Sequence, residues 1–149
     1  MQDLYGRVGV VHLLDPADLA HTTTKSSIID LAYNNKPVDG AIIAVGCGTL
    51  TGVDGSNYAT ITMQESDTTV DGDFATVAAG SLSNAYTVIN STSKDNVTQW
   101  VGYRGSKRYI RAVITFTGTG ITAGVWQILG IVGAARDLPI SAIAATAAT

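Results

Sequence analysis

The clearest pattern in the chain is an alternation. In "YATITMQES", residues 58–66, Tyr58, Thr60, Thr62 and Gln64 fall on one side, and Ala59, Ile61 and Met63 on the other. A period of two is that of a half-buried strand. Two other segments are apolar on both faces: "GAIIAVGCGTL", residues 40–50, and residues 124–133. They are expected to be central or covered strands. Shorter strands are expected over 28–33, in "FATVAAG" and in "AYTVIN". The stretch "TQWVGYRGSKRYIRAVITFTG" reads as a hairpin, with strands over 99–103 and 108–117 and a turn at 104–107. In its second strand Ile110, Ala112, Ile114 and Phe116 share one face, and Tyr109, Arg111, Val113, Thr115 and Thr117 the other.

Turn signals separate these runs, among them Asn34-Asn35-Lys36-Pro37, Asp54-Gly55 and Asp71-Gly72. No long segment has a period of 3.6, and no solenoid repeat is visible. About eight short strands, with a turn roughly every ten residues, predict an all-β antiparallel β-sandwich. A jelly-roll-like arrangement is the first expectation and an immunoglobulin-like sandwich the alternative.

The ends differ from the middle. Residues 1–27 carry a Thr/Ser run and the dipeptide Asp15-Pro16, which suits one helical turn with Asp15 as cap. The rest is expected to be an extended N-terminal arm. Its apolar residues Tyr5, Val8, Val10, Leu13 and Leu14 either return to the core or lie on a partner. The sandwich is assigned to 28–139, and 140–149, "ISAIAATAAT", is a short uncharged C-terminal tail. Tail and arm are both candidate contacts with other chains.

Composition narrows the function. Charged residues make up 14% of the chain, against roughly 25% in ordinary soluble domains, so much of the surface is Thr, Ser, Asn and Gly. Such a surface suits life packed against other proteins. The net charge of −3 argues against a general nucleic-acid binder. Cys47 is the single cysteine, so no intrachain disulfide forms. The N-terminus lacks the layout of a signal peptide, and the apolar run before residue 136 is too short and interrupted to span a membrane. Export and membrane association are therefore not expected.

Candidate chemistry is sparse. Arg104, Lys107 and Arg108 cluster at the 104–107 turn, either as a solvated, salt-bridged corner or as a contact for an acidic partner surface. No glycine-rich loop feeds a helix N-terminus, so no nucleotide site is expected. Asp67, Asp71 and Asp73 lack the order of a calcium loop, and His12, His21 and Cys47 lack zinc spacing. No G-x-S-x-G elbow exists, and the carboxylates sit mostly in turns. The expectation is no catalytic residue, no metal and no cofactor.

The ordered set "ITMQESD", "FATVAAG", "YTVIN", "WVGYRGSKRYIRAVITFTG" and "GVWQILGIVGAARDLP" resembles the capsid decoration, or cement, proteins of tailed bacteriophages. The most distinctive part is Gly102–Arg111, and the resemblance spans roughly 28–140. Where that family carries a Ser-Asp-Asp-Gly turn, this chain has Ser66-Asp67 followed by Thr68-Thr69. The resemblance implies a jelly-roll-type sandwich and a structural, non-enzymatic role. The implied partners are the major capsid protein and further copies of the chain, without nucleic acid or membrane. The implied location is the outer capsid surface of the virion, assembled in the host cytoplasm. An alternative of another class is a carbohydrate-binding or adhesive β-sandwich of a head fibre or tail. A sugar platform needs exposed rings in a row, so Trp100, Tyr103, Tyr109 and Trp126 discriminate between the two.

Overall fold

The computed structural model describes residues 7–32, 38–135 and 145–146. Its strands in chain order are β1 (Val8–Asp18), β2 (Thr24–Lys25), β3 (Ile28–Asp30), β4 (Val38–Cys47), β5 (Tyr58–Ser66), β6 (Ala75–Thr76), β7 (Val97–Tyr103), β8 (Tyr109–Thr117), β9 (Val125–Ala135) and β10 (Ala145–Thr146). They form two antiparallel sheets. The first, sheet A, runs β1-β9-β4-β7; sheet B runs β10-β3-β8-β5-β6, with β2 also paired to β8. With β2 and β3 taken as one interrupted strand and β10 set aside, chain order is 1-8-3-6 in sheet A and 2-7-4-5 in sheet B. First strand beside last, with every successive pair except β5–β6 exchanged between sheets, is the jelly-roll arrangement.

Alternation decides which side of each strand enters the core. Ala59, Ile61 and Met63 of β5 point inward beside Ile110, Ala112 and Ile114 of β8, all buried. From sheet A they meet Ile43 and Val45 of β4, Trp126 and Ile128 of β9, and Val101 of β7. Trp126 is fully buried and meets Phe116 edge-on, with ring centroids 5.7 Å apart. Each such aliphatic side chain contributes about 1.5–3 kcal/mol by leaving water.

Three expectations need correction. Residues 8–18 do not project as an arm. They form an edge strand paired with β9 from Val8↔Gly133 to Asp18↔Val125, and Val11 and Leu13 are buried in the core. Nor does Asp15-Pro16 open a helical turn. It lies within the second register shift of β1, between Leu14 and Ala17, and an edge or bulge is where a residue without N–H is tolerated. Tyr5 lies outside the described residues. In the tail, the described pair Ala145–Thr146 is β10, hydrogen-bonded to β3.

The expected hairpin is the second correction. β7 pairs with β4 in sheet A, while β8 pairs with β3 and β5 in sheet B, so residues 104–108 cross from one sheet to the other. Tyr103 holds this corner. Its hydroxyl donates to Glu65 Oε2 at 2.5 Å and accepts from the Lys107 N–H at 2.8 Å. A Cβ on Gly105 would come within 2.3 Å of that hydroxyl, so the close approach explains the glycine.

Third, "FATVAAG" contributes only Ala75–Thr76 as strand, and "AYTVIN" meets the sheet at one bridge, Ala59↔Ile89. Their apolar residues plug the core rather than extend a ladder: Val77 and Ile89 are buried. The run before β7 also covers that strand's outer edge. Ser83 N–H donates to Gly102 O, Arg104 N–H to Ser81 O, and Leu82 bridges Tyr103.

Candidate partner-binding surface

The cationic corner is largely neutralised by the chain itself. Lys107 Nζ lies 2.5 Å from Asp67 Oδ2. Arg108 donates both Nε and Nη2 to Asp30, at 2.9 and 2.8 Å, and lies over the Tyr109 ring. Arg111 is 2% exposed. It donates to Gln64 Oε1 at 2.9 Å and Asp71 Oδ1 at 2.5 Å, with its guanidinium 4.1 Å from the Phe74 ring centroid. Lys25 holds the other oxygen of Asp71 at 2.5 Å.

The hydrogen bond from Lys25, then that from Arg111, keeps the Asp71 carboxyl below the usual carboxylate range, and Lys107 does the same for Asp67. Arg108 is held more firmly protonated by Asp30. Lys107 and Arg108 are therefore each paired with a carboxylate of the chain while remaining about half exposed. Arg104 differs: its side chain is exposed and forms no hydrogen bond or ion pair among the described residues.

The acidic residues 67, 71 and 73 do not converge on a common point of binding. Asp67 and Asp71 face cations, and Asp73 accepts from the Thr68 hydroxyl at 2.5 Å. Among the described residues no group of three potential ligands could hold a metal ion. Burial pushes the Cys47 thiol up to about 12, which removes it from nucleophilic chemistry near neutrality.

A different surface emerges on the outer face of sheet A. The ladder registers place its side chains in rows. One row holds Val8, Gly133 and Gly40; the next holds Val10, Ile131, Ile42 and Gly102; a third holds His12, Leu129, Ala44 and Trp100. A fourth holds Gln127, Gly46 and Thr98. These residues include no Asp, Glu, Lys or Arg, but at the β1 edge of the fourth row the exposed Asp15 carboxylate lies 3.3 Å from His12 Nδ1. Val10 is 63% exposed and Trp100 62%. Strands β4 and β9 are central, as their apolar pattern requires, yet no described strand layer covers their outer face.

Near the end that carries Arg104, the face dips into a groove of about 320 Å³ lined by Val8, Gly40, Ile42, Gly102, Arg104 and Ile131, among others. A smaller recess of about 230 Å³ lies beside Trp100, walled by Asn84, Thr87 and Gln99. The Gln99 amide closes its back by donating to Thr87 O and accepting from Thr87 N–H.

The named site residues thus separate. Val8 and Val10 stand on this face, and Arg104 stands at its rim. Leu13 is in the core and Leu14 packs against it. Sequence reasoning missed Ile42, Leu129 and Ile131, and named Trp100 only as a possible sugar-stacking ring. The signal of the first three lies in the double-sided apolar pattern of β4 and β9, which fits a central strand as well as a covered one. Of the four discriminating rings, Trp126 and Tyr103 are buried and Tyr109 is partly buried beside Arg108, so Trp100 alone stands exposed. Neither the models of protein families nor the curated proteins searched give a match to this chain.

Proposed function

We propose that this chain is a structural, non-enzymatic virion protein of the decoration or cement type. It seats the outer face of sheet A on a shell of major capsid protein and bridges neighbouring subunits. The observation that carries the reading is that face: largely apolar, with the Asp15 carboxylate against His12 at its β1 edge, and left open by the described residues. Large exposed apolar patches mark protein contacts. Four strands about 4.8 Å apart and about ten residues long give roughly 600 Å², near the roughly 800 Å² that each partner buries in a standard interface. The resemblance of Gly102–Arg111 and its flanking strands to phage decoration proteins supports the same reading, as does the low charge of the whole chain.

Co-sedimentation with empty shells of the cognate capsid protein, followed by particle imaging, tests it. The wild type is expected to pellet with shells and appear on their outer surface. A Trp100→Ser, Val10→Ser double variant is expected to stay in solution. Equal binding by both proteins, or none by the wild type, sinks the reading.

The second reading, a carbohydrate-binding β-sandwich, has one observation in its favour: the exposed Trp100 ring beside the polar recess of Asn84 and Thr87. Stacking of a sugar on Trp100 would give binding to immobilised glycans that Trp100→Ala abolishes and Val10→Ser leaves intact. The absence of further exposed rings beside it, among the four named, weighs for the shell reading.

A further inference from the structure

Residues 104–108 carry the chain from sheet A to sheet B, and no apolar side chain of their own anchors them. The sequence of the crossing is Arg-Gly-Ser-Lys-Arg. Arg104, Ser106, Lys107 and Arg108 are exposed, and Gly105 and Ser106 make no hydrogen bond among the described residues. The buried residues begin on either side, at Tyr103 and Ile110. The crossing can therefore lift without drawing an aliphatic side chain out of the core. Segments with few buried apolar contacts are the ones that open locally, below the free energy of global unfolding.

What holds the crossing is a set of carboxylates on sheet B. Asp30 of β3 and Ser66 of β5 both stand opposite Tyr109, the first residue of β8, so the ends of β3 and β5 flank the landing point. From the β3 side Asp30 accepts both hydrogen bonds of the Arg108 guanidinium. From the β5 side Asp67 accepts from Lys107 Nζ, and Glu65 accepts from the Tyr103 hydroxyl, which itself accepts the Lys107 N–H. One main-chain bond completes the landing, from Leu31 N–H to Arg108 O at 2.8 Å. The take-off end is different. There Arg104 N–H donates to Ser81 O at 2.7 Å, and no carboxylate takes part. Among the described residues, the charged groups facing the crossing are thus Asp30, Glu65 and Asp67 against Lys107 and Arg108. Tyr103 and Tyr109 are the neutral titratable groups beside it, and the Arg104 side chain points to no carboxylate.

Carboxylates take up protons around pH 4 in water. Once neutral, a carboxyl no longer offers an ammonium or guanidinium the charge that makes such a hydrogen bond strong. All three anchors weaken over the same range of pH. The β4–β9 ladder, in contrast, is made of main-chain bonds over a buried apolar layer.

We propose that residues 104–108 form an acid-released latch. Protonation of Asp30, Glu65 and Asp67 frees the crossing and breaks the Leu31–Arg108 bond, with Arg104 as the hinge, while both sheets stay folded. The opening uncovers the Tyr103 hydroxyl and a recess of about 90 Å³ lined by Leu31, Val38, Ala41 and Tyr103, among others. At neutral pH the latch is closed.

Amide hydrogen exchange of the full chain, read residue by residue by NMR and expressed as protection relative to an unstructured peptide at the same pH, tests it. At pH 7 the Lys107 and Leu31 amides are expected to be protected at least about tenfold. At pH 2.5 they are expected to have lost that protection. The Arg104 amide is expected to keep its own, and the β4 and β9 ladder amides to remain protected at least about a hundredfold. The triple variant Asp30→Asn, Glu65→Gln, Asp67→Asn is expected to show the open pattern already at pH 7. Asp67→Asn alone removes one anchor, and the pH at which the Lys107 amide loses protection is expected to rise by about half a unit.

Loss of protection by corner and ladders together, a protected corner at pH 2.5, or an unprotected one at pH 7 in the wild type overturns the inference. So does a triple variant whose corner stays closed at pH 7, or an unchanged midpoint in Asp67→Asn. No shell enters these measurements, so the function proposed above stands or falls separately.

Discussion

The two outer faces of the sandwich have been finished differently. On sheet B the middle of the outer face of β8 is closed over by the chain, and the outer side chains of β5 are partly buried. Val113, whose ladder partner is Lys25 of β2, is 5% exposed, and Arg111 lies under Phe74 and Asp71, so a guanidinium and an aliphatic side chain on that face are both nearly inaccessible. On sheet A the corresponding rows carry Val10, Ile131, Leu129 and Trp100 with no such cover among the described residues. A face that meets its own polar and apolar demands belongs to the fold. A face that leaves apolar side chains in water at a cost to solubility belongs to whatever comes to cover it.

The comparison can be broken first at β1, which serves both the core and the open face. Deleting residues 1–20 removes the edge strand that carries buried Val11 and Leu13. The expected result is loss of the cooperative thermal transition in circular dichroism, not a folded core that merely fails to bind. A sharp transition near that of the wild type would return these residues to the status of an arm.

The next largest effect lies on the closed face. Arg111→Ala empties the space beneath Phe74, leaves Gln64 without this partner and leaves Asp71 with Lys25 alone, at a cost of about 3 kcal/mol. Urea denaturation measures it. A loss near zero would mean that the cover on sheet B is loose. Trp100→Ser on the open face should change stability by no more than about 0.5 kcal/mol, the usual range for exposed positions, while removing shell binding. A large loss of stability there would place Trp100 among the packed residues.

The smallest effect is that of acid. Asp67 and Asp71 have folded-state pKa values below the ordinary 3.8 of the unfolded chain. Their contribution is therefore present above that value and is lost as pH falls through the lowered folded values. The melting temperature of the wild type should drop below about pH 4. In Asp71→Asn the drop should be shallower, and above pH 5 its melting temperature should lie slightly below that of the wild type. Identical pH profiles would show that the Lys25–Asp71–Arg111 linkage contributes nothing measurable, as many exposed ion pairs do.

How much of this was legible in the sequence follows from the range of each signal. The alternation of Tyr58 to Ser66 is local, and its strand appears with the expected faces. The apolar pattern of β4 and β9 correctly marked central strands. Strand partners are not local. The turn at 104–107 has the residues of a hairpin, and nothing in its composition says that Tyr103 reaches Glu65 on the other sheet. The Thr/Ser run and Asp-Pro pair look like loop chemistry, whereas Val8 and Val10 on one face and Val11 and Leu13 on the other leave no polar alternation, and the register shifts twice beyond His12. The site was half visible. Val8, Val10 and Arg104 were named, but the pairing of Lys107 and Arg108 with Asp67 and Asp30 spans 40 and 78 residues of chain. No spacing rule detects that.

The chain has two tryptophans, and the fold has put them in opposite surroundings: Trp126 is sealed beside Phe116, and Trp100 is 62% exposed. Their emission therefore divides into a blue, iodide-resistant part that reports the integrity of the sandwich and a red, quenchable part that reports occupancy of the open face. One fluorescence titration, without any added label, separates a variant that has lost its partner from one that has lost its shape.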